Sequence, residues 1–137
     1  MKIVTDTITL ATSQVRELVD ITAEARRRVS DAGISDGVLC LYAHGATAAI
    51  MVQENADPNI GKDVVTCLEK LIPDGAWLHD RVDGNGAAHI QAGLIGPSET
   101  IPVRAGRLDL STWQNVFFCE LDGPRTQRIV KVTVIGE

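Results

Sequence analysis

The sequence predicts an α+β fold: a mainly antiparallel β sandwich with two longer helices and one short helix, in one layer-packed domain over residues 1–137. Three observations carry this reading. Strand-like segments dominate, and helices are inserted between them instead of alternating with them as in a βαβ chain. A length of 137 residues fits one domain. Hydrophobic residues make up 45% and aromatics only 4%, so the core must be built mainly of Val, Ile, Leu and Ala.

Lys2 to Leu10 is rich in Ile and Thr and reads as a strand. Thr12 and Ser13 offer a helix N-cap, and Val15, Leu18, Thr22, Ala25 and Val29 recur at helical intervals up to Gly33. Gly37 to Ala43 and Ala48 to Gln53 read as two strands. The link His44-Gly45-Ala46-Thr47 between them reads as a bend or bulge. Asp57-Pro58 is a helix start, with a capping carboxylate and proline at the first helical position. Ile60, Val64, Leu68 and Leu71 line one face of that helix, and Pro73 and Gly75 end it. Asn85 is placed to cap a short helix carrying His89, Ile90 and Leu94. Thr100 to Val103, Asn115 to Glu120 and Arg128 to Ile135 have strand composition, and Asp122-Gly123-Pro124 marks the turn before the last.

Composition excludes several classes of function. A net charge of −5 argues against a nucleic-acid binder, and Arg26, Arg27 and Arg28 read as a solvated helix face. No apolar stretch nears the ~20 residues that span a bilayer, and Met1 to Leu10 does not form the apolar run of a signal peptide. Cys40, Cys67 and Cys119 form no CxxC pair and lie in apolar stretches, as small buried hydrophobes of a reducing compartment do. The expectation is a cytoplasmic protein with no membrane and no nucleic-acid partner.

The residues able to do chemistry lie between His44 and Arg125. His44, His79 and His89 sit at element boundaries or in polar loops. Three imidazoles can hold a zinc-like ion with one position open, or act as acid–base groups near neutral pH. Their spacing matches no compact zinc motif, and surface hydrogen bonding explains one or two of them equally well. Carboxylates able to orient an imidazole accompany them: Glu54 at a strand end, Asp63, Asp80 beside His79, and Glu120 and Asp122 near Arg125. Asp57 reads first as a structural cap. Hydroxyl-rich Gly96-Pro97-Ser98-Glu99-Thr100 and Ser111-Thr112-Trp113-Gln114 suit a phosphate, with Arg125 as a fork-shaped donor. Turn chemistry accounts for the same residues. No P-loop and no GxGxxG occurs, which argues against standard nucleotide sites.

An ordered set of short motifs runs along the chain. It comprises Gly45-Ala46-Thr47-Ala48-Ala49-Ile50, Gln53-Glu54-Asn55, Asp57-Pro58, His79-Asp80, Ala88-His89-Ile90 and Gly96-Pro97-Ser98. Ile101-Pro102-Val103, Gly106, Thr112-Trp113-Gln114 and Asp122-Gly123-Pro124-Arg125 complete it. The set resembles the YjbQ-like family, often named secondary thiamine-phosphate synthase. His79, His89, Trp113, Gln114 and Arg125 fall on family positions. The resemblance implies a homotrimer, a small phosphorylated metabolite as ligand, and a histidine-lined pocket able to hold a divalent metal through His44, His79 and His89. Zinc would suit the imidazoles, and Mg²⁺ the phosphate oxygens. It also implies a weak thiamine-phosphate synthase activity, joining hydroxymethylpyrimidine diphosphate to thiazole phosphate with release of pyrophosphate. His79, His89 and Glu54 would be the catalytic groups, and Ser98, Thr112, Trp113, Gln114 and Arg125 would hold substrate. A metal-dependent hydrolase and a non-catalytic binding protein for a phosphorylated metabolite or metal ion are the alternatives. One position departs from the family: Gly45 stands where histidine is common, and His44 precedes it. A one-residue shift reverses a strand side chain, and a bulge at Gly45 would turn His44 back to the pocket.

Overall fold

Every strand falls into one of two antiparallel sheets in the computed structural model, which describes residues 1–137. The strands are β1 (Lys2–Leu10), β2 (Glu17–Asp20), β3 (Gly37–Ala43), β4 (Ala48–Glu54), β5 (Ser98–Arg104), β6 (Arg107–Leu108), β7 (Gln114–Glu120) and β8 (Arg128–Gly136). One sheet has the order β1-β8-β3-β5-β6 and the other β2-β7-β4. The helices are α1 (Thr22–Ala32), α2 (Asn59–Leu71) and α3 (Gly86–Ile95), with a short 3-10 helix at Leu78–Arg81. No helix is long and apolar enough to cross a membrane.

Strand alternation decides which side chains meet. Leu39, Leu41 and Ala43 of β3 and Val130, Val132 and Val134 of β8 share one core with Ile50 of β4 and Val116 and Phe118 of β7. Ala25, Val29 and Ala32 of α1 fill the same space. Each large side chain removed from water here is worth roughly 1.5–3 kcal/mol. The other face of the smaller sheet is covered by α2 and α3, where Leu121 packs with Leu68, Ala88 and Ala92.

The architecture matches the expected α+β sandwich, and several local features differ from the sequence expectation. The helix expected from Ser13 to Gly33 is divided. Glu17–Asp20 pairs with β7 as an edge strand, and only Thr22–Ala32 is helical. Four residues are too few to display a period, so Leu18 fitted a helical pattern by coincidence. Ser13 is no cap: its N–H and that of Gln14 donate to Glu17 (2.6 and 2.8 Å). Asp20 instead accepts from the Thr22 N–H at the start of α1 (2.9 Å). Asp57 does act locally, accepting from the Asn59 N–H (2.9 Å), but α2 begins after Pro58. Asn85 occupies the N-cap position of α3 without a capping side-chain bond. The segment 44–47 is not a bulge within a strand. It is a crossover that takes the chain from β3 in the larger sheet to β4 in the smaller one.

That crossover has company. Residues 11–16 carry the chain from β1 to β2, and residues 121–127 carry it from β7 to β8, again between the sheets. The pairings Leu10↔Arg128, Glu17↔Glu120 and Ala48↔Glu120 put all three links at one end of the sandwich.

Candidate functional site

Polar residues close this end of the apolar core. Glu120 continues the inward stripe of Val116 and Phe118, and Arg128 that of Val130 and Val132. Their side chains meet between the sheets. Arg128 Nε donates to Glu120 Oε1 and Oε2 (3.0 and 3.1 Å), and Nη2 also contacts Oε2. Glu120 is fully buried. Burial pushes its carboxyl pKa up. Hydrogen bonds from Arg128, Thr12 and the Asp122 N–H, with the Arg128 charge, outweigh burial and hold the pKa below the usual glutamate value.

The three crossovers are tied into this pair. Thr12 Oγ1 donates to Glu120 Oε1 (2.7 Å) and accepts from the Arg125 N–H (2.9 Å). Arg128 Nη2 donates to Thr47 Oγ1 (3.0 Å). Arg125 folds back on Asp122, with Nη2 3.0 Å from Oδ2, and Asn85 donates to the same oxygen (3.1 Å). The network thereby reaches the N-terminus of α3.

At that N-terminus Asp80 supplies the cap that Asn85 does not. Its Oδ1 accepts from the Gly86 N–H (2.8 Å) and its Oδ2 from the Trp77 N–H (3.2 Å). The 3-10 helix is thus clamped onto α3. Gly86 permits the approach, because a Cβ there would lie 2.8 Å from Trp77 Cβ. The result is a pair of imidazoles. The rings of His79 and His89 are 4.7 Å apart at 83°, edge to face, and His79 Nε2 is 4.0 Å from Asp83.

The residues singled out in the sequence are distributed in two groups. His79, His89 and Arg125 belong to the crossover end. Ser98 pairs with Tyr42 across the β3–β5 ladder, two residues before His44, and shares this end. His44 itself is exposed beside Tyr42, with ring centres 6.5 Å apart. Glu54, Thr112, Trp113 and Gln114 lie at the other end of the smaller sheet. The Glu54↔Gln114 pairing is six residue steps along β4 from Ala48↔Glu120, about 20 Å at the rise of a strand. Asn55 binds them together, donating from Nδ2 to the Thr112 carbonyl (3.0 Å) and from its N–H to that of Trp113 (3.1 Å). Glu54, Asn55 and Asp57 also line a groove of about 270 Å³ with Asp20 and Phe117.

A metal site was expected at His44, His79 and His89. Within one chain no three His, Cys, Asp or Glu side chains converge in a metal-holding arrangement. The chain supplies an imidazole pair and not a full zinc ligand set.

A family model described as "UPF0047 protein YjbQ-like" matches residues 6–137. The chain belongs to the YjbQ-like family. A UPF0047 protein of Methanothermobacter thermautotrophicus is 39% identical, covering 100% of this chain and 95% of that protein. The UPF0047 protein YugU of Bacillus subtilis is 38% identical over 88% of this chain and 92% of its own. Among solved structures, a YbjQ-like protein of unknown function from Sulfolobus solfataricus superposes with a TM-score of 0.96 at 36% identity, covering 99% of both chains. A hypothetical protein from Aeropyrum pernix gives 0.92 at 39% identity, covering 97% of this chain and 98% of that one.

In this YjbQ-like chain, sequence reasoning missed Thr12, Thr47 and Arg128. A signal was available for Arg128. It continues the apolar period of β8, just as Glu120 continues that of β7, and charges on a core-facing period point to a buried pair. Thr12 and Thr47 gave no such signal, because only the fold brings their loops together.

Proposed function

We propose that the crossover end acts as a weak thiamine-phosphate synthase, a pyrophosphate-displacing transferase. The single observation supporting this is the edge-to-face pair of His79 and His89 on the α3 end that Asn85 ties to Asp122 and Arg125. In the reaction the thiazole nitrogen donates its lone pair to the methylene carbon of hydroxymethylpyrimidine diphosphate. The bond from that carbon to the pyrophosphate oxygen breaks, and pyrophosphate leaves with the electron pair. A protonated imidazole and the half-exposed Arg125 guanidinium would stabilise the departing charge, a large term in reactions of this class. Ser98 would hold phosphate from the neighbouring strand.

The reading includes assembly as a homotrimer. Leu78, Val82 and Leu94 are 79%, 73% and 66% exposed on the elements that carry the two histidines, an apolar surface that a second copy would cover. Glu54, Thr112, Trp113 and Gln114 would reach the imidazoles only from a neighbouring chain.

The test is direct. Purified protein with both substrates, assayed with and without Mg²⁺ or Zn²⁺, should form thiamine phosphate, and His89→Ala and Arg125→Ala should each lose the activity. A rate unchanged in both variants overturns the reading. Thermal stabilisation by substrate without turnover would favour a binding protein instead.

A further inference from the structure

The geometry points to a second anion site, for a phosphate-type oxyanion, formed by the Gly45–Thr47 crossover and the free edge of Arg128; we propose it independently of the synthase reading. Arg128 is about nine-tenths buried. Its Nε and Nη2 are committed to Glu120 and Thr47. Nη1 donates to nothing in the chain and faces Gly45, where a Cβ would stand 3.1 Å from it. The guanidinium cannot swing aside readily, because Glu120 and Thr47 hold its other two nitrogens.

The crossover presents donors of its own. The main-chain N–H groups of Gly45, Ala46 and Thr47 lie outside every helix and strand, and none donates a hydrogen bond within the chain. Gly45 and Ala46 are exposed. Consecutive unpaired amides beside an arginine nitrogen with an unused proton pair are an acceptor-seeking surface, and oxyanions of phosphate type supply several acceptors at once. Glu120 carries one negative charge against the Arg128 positive charge, so the pair does not repel an incoming anion. A glycine at position 45 leaves the space beside Nη1 open, and a side chain would fill it. Its φ is not positive, so other residues fit the backbone.

Inorganic phosphate is the probe, titrated into ¹⁵N-labelled full-length protein with chloride at equal ionic strength as control. The amide signals of Gly45, Ala46 and Thr47 should shift together and saturate. Gly45→Ala, whose Cβ would stand 3.1 Å from Nη1, should weaken binding by about tenfold while still unfolding in one cooperative transition without phosphate. Gly45→Asp would place a carboxylate beside Nη1, raise the melting temperature in phosphate-free buffer and abolish the phosphate-induced shifts of the Ala46 and Thr47 amides. Arg125→Ala should leave the phosphate-induced shifts of the Gly45, Ala46 and Thr47 amides unchanged, which separates this site from the proposed catalytic one. The inference is overturned if these three amides do not respond, if Gly45→Ala binds phosphate like the parent, or if the response is lost in Arg125→Ala.

Discussion

Glu120 and Arg128 stand on different sheets, yet the Arg128 Nε lies 3.0 and 3.1 Å from the two Glu120 carboxylate oxygens. The pair is the only place where the apolar space between the sheets ends in opposite charges held face to face. Removing one partner leaves a buried charge without compensation. Arg128→Met is expected to destabilise the fold by about 3–5 kcal/mol, read by urea denaturation at fixed chain concentration. Adding Glu120→Leu should recover part of that loss. A fully additive double variant would show that the two groups are not coupled.

Acid should act through the same carboxylate. Its pKa is lowered in the folded state, so the unfolded chain takes up the proton more readily. The stability it contributes is present above the ordinary glutamate value of about 4.3 and is lost as the pH falls through the lower folded value. The parent should therefore lose stability on acidification below that point, and Glu120→Gln should show a shallower dependence. Equal slopes for the two proteins would assign the acid response to other groups.

Gly86 sets the distance between the two histidine-bearing elements. Gly86→Ala would place a methyl 2.8 Å from Trp77 Cβ and crowd Asp80 Oδ1 at 2.9 Å. Overpacking of this kind costs about 1–3 kcal/mol. The 3-10 helix should shift from α3, so the ring signals of His79 and His89 should lose their mutual contact in NMR spectra. Retained contact would show that the helix pair tolerates the methyl.

Asp80 clamps that same junction by accepting from two N–H groups. Asp80→Ala is expected to cost about 0.5–2 kcal/mol, as the loss of a helix cap does. Asp80→Asn keeps one acceptor and should fall between the two in chemical denaturation.

The thiols divide by burial. Burial pushes the Cys119 pKa up to about 12, while Cys67 is exposed. A thiol-specific reagent at neutral pH should label Cys67 promptly and Cys119 only when the protein unfolds. Labelling of both at one rate would mean that the smaller sheet opens in the native state.

How much of this was legible in the sequence depended on the range of the interaction. Lys2–Leu10, Gly37–Ala43 and the C-terminal strands announce themselves because composition and alternation are local. The strand Glu17–Asp20 does not, because four residues carry no period and only the pairing with β7 makes them a strand. His79 and His89 were recognised as reactive types, but their meeting depends on Asp80 bridging Trp77 and Gly86. The assignment of His44 to the same pocket rested on a bulge, whereas the chain at Gly45 leaves one sheet for the other. Glu54 and His89 looked like members of one site because sequence order holds no record of which end of a strand faces which helix.

The ladder between β1 and β8 joins Lys2 to Gly136 and Leu10 to Arg128, so the first and last strands zip along their full lengths. In the larger sheet β1 therefore has no partner until β8 is available, and the smaller sheet likewise waits for β7 to receive β2 and β4. The N-terminal strands β1 and β2 thus find their partners only in the C-terminal strands β8 and β7. Contacts between such distant parts of a chain close slowly, on roughly the millisecond-to-second scale of sheet-dominated proteins. Refolding should consequently follow one concerted step in which the polar end and the apolar interior appear together.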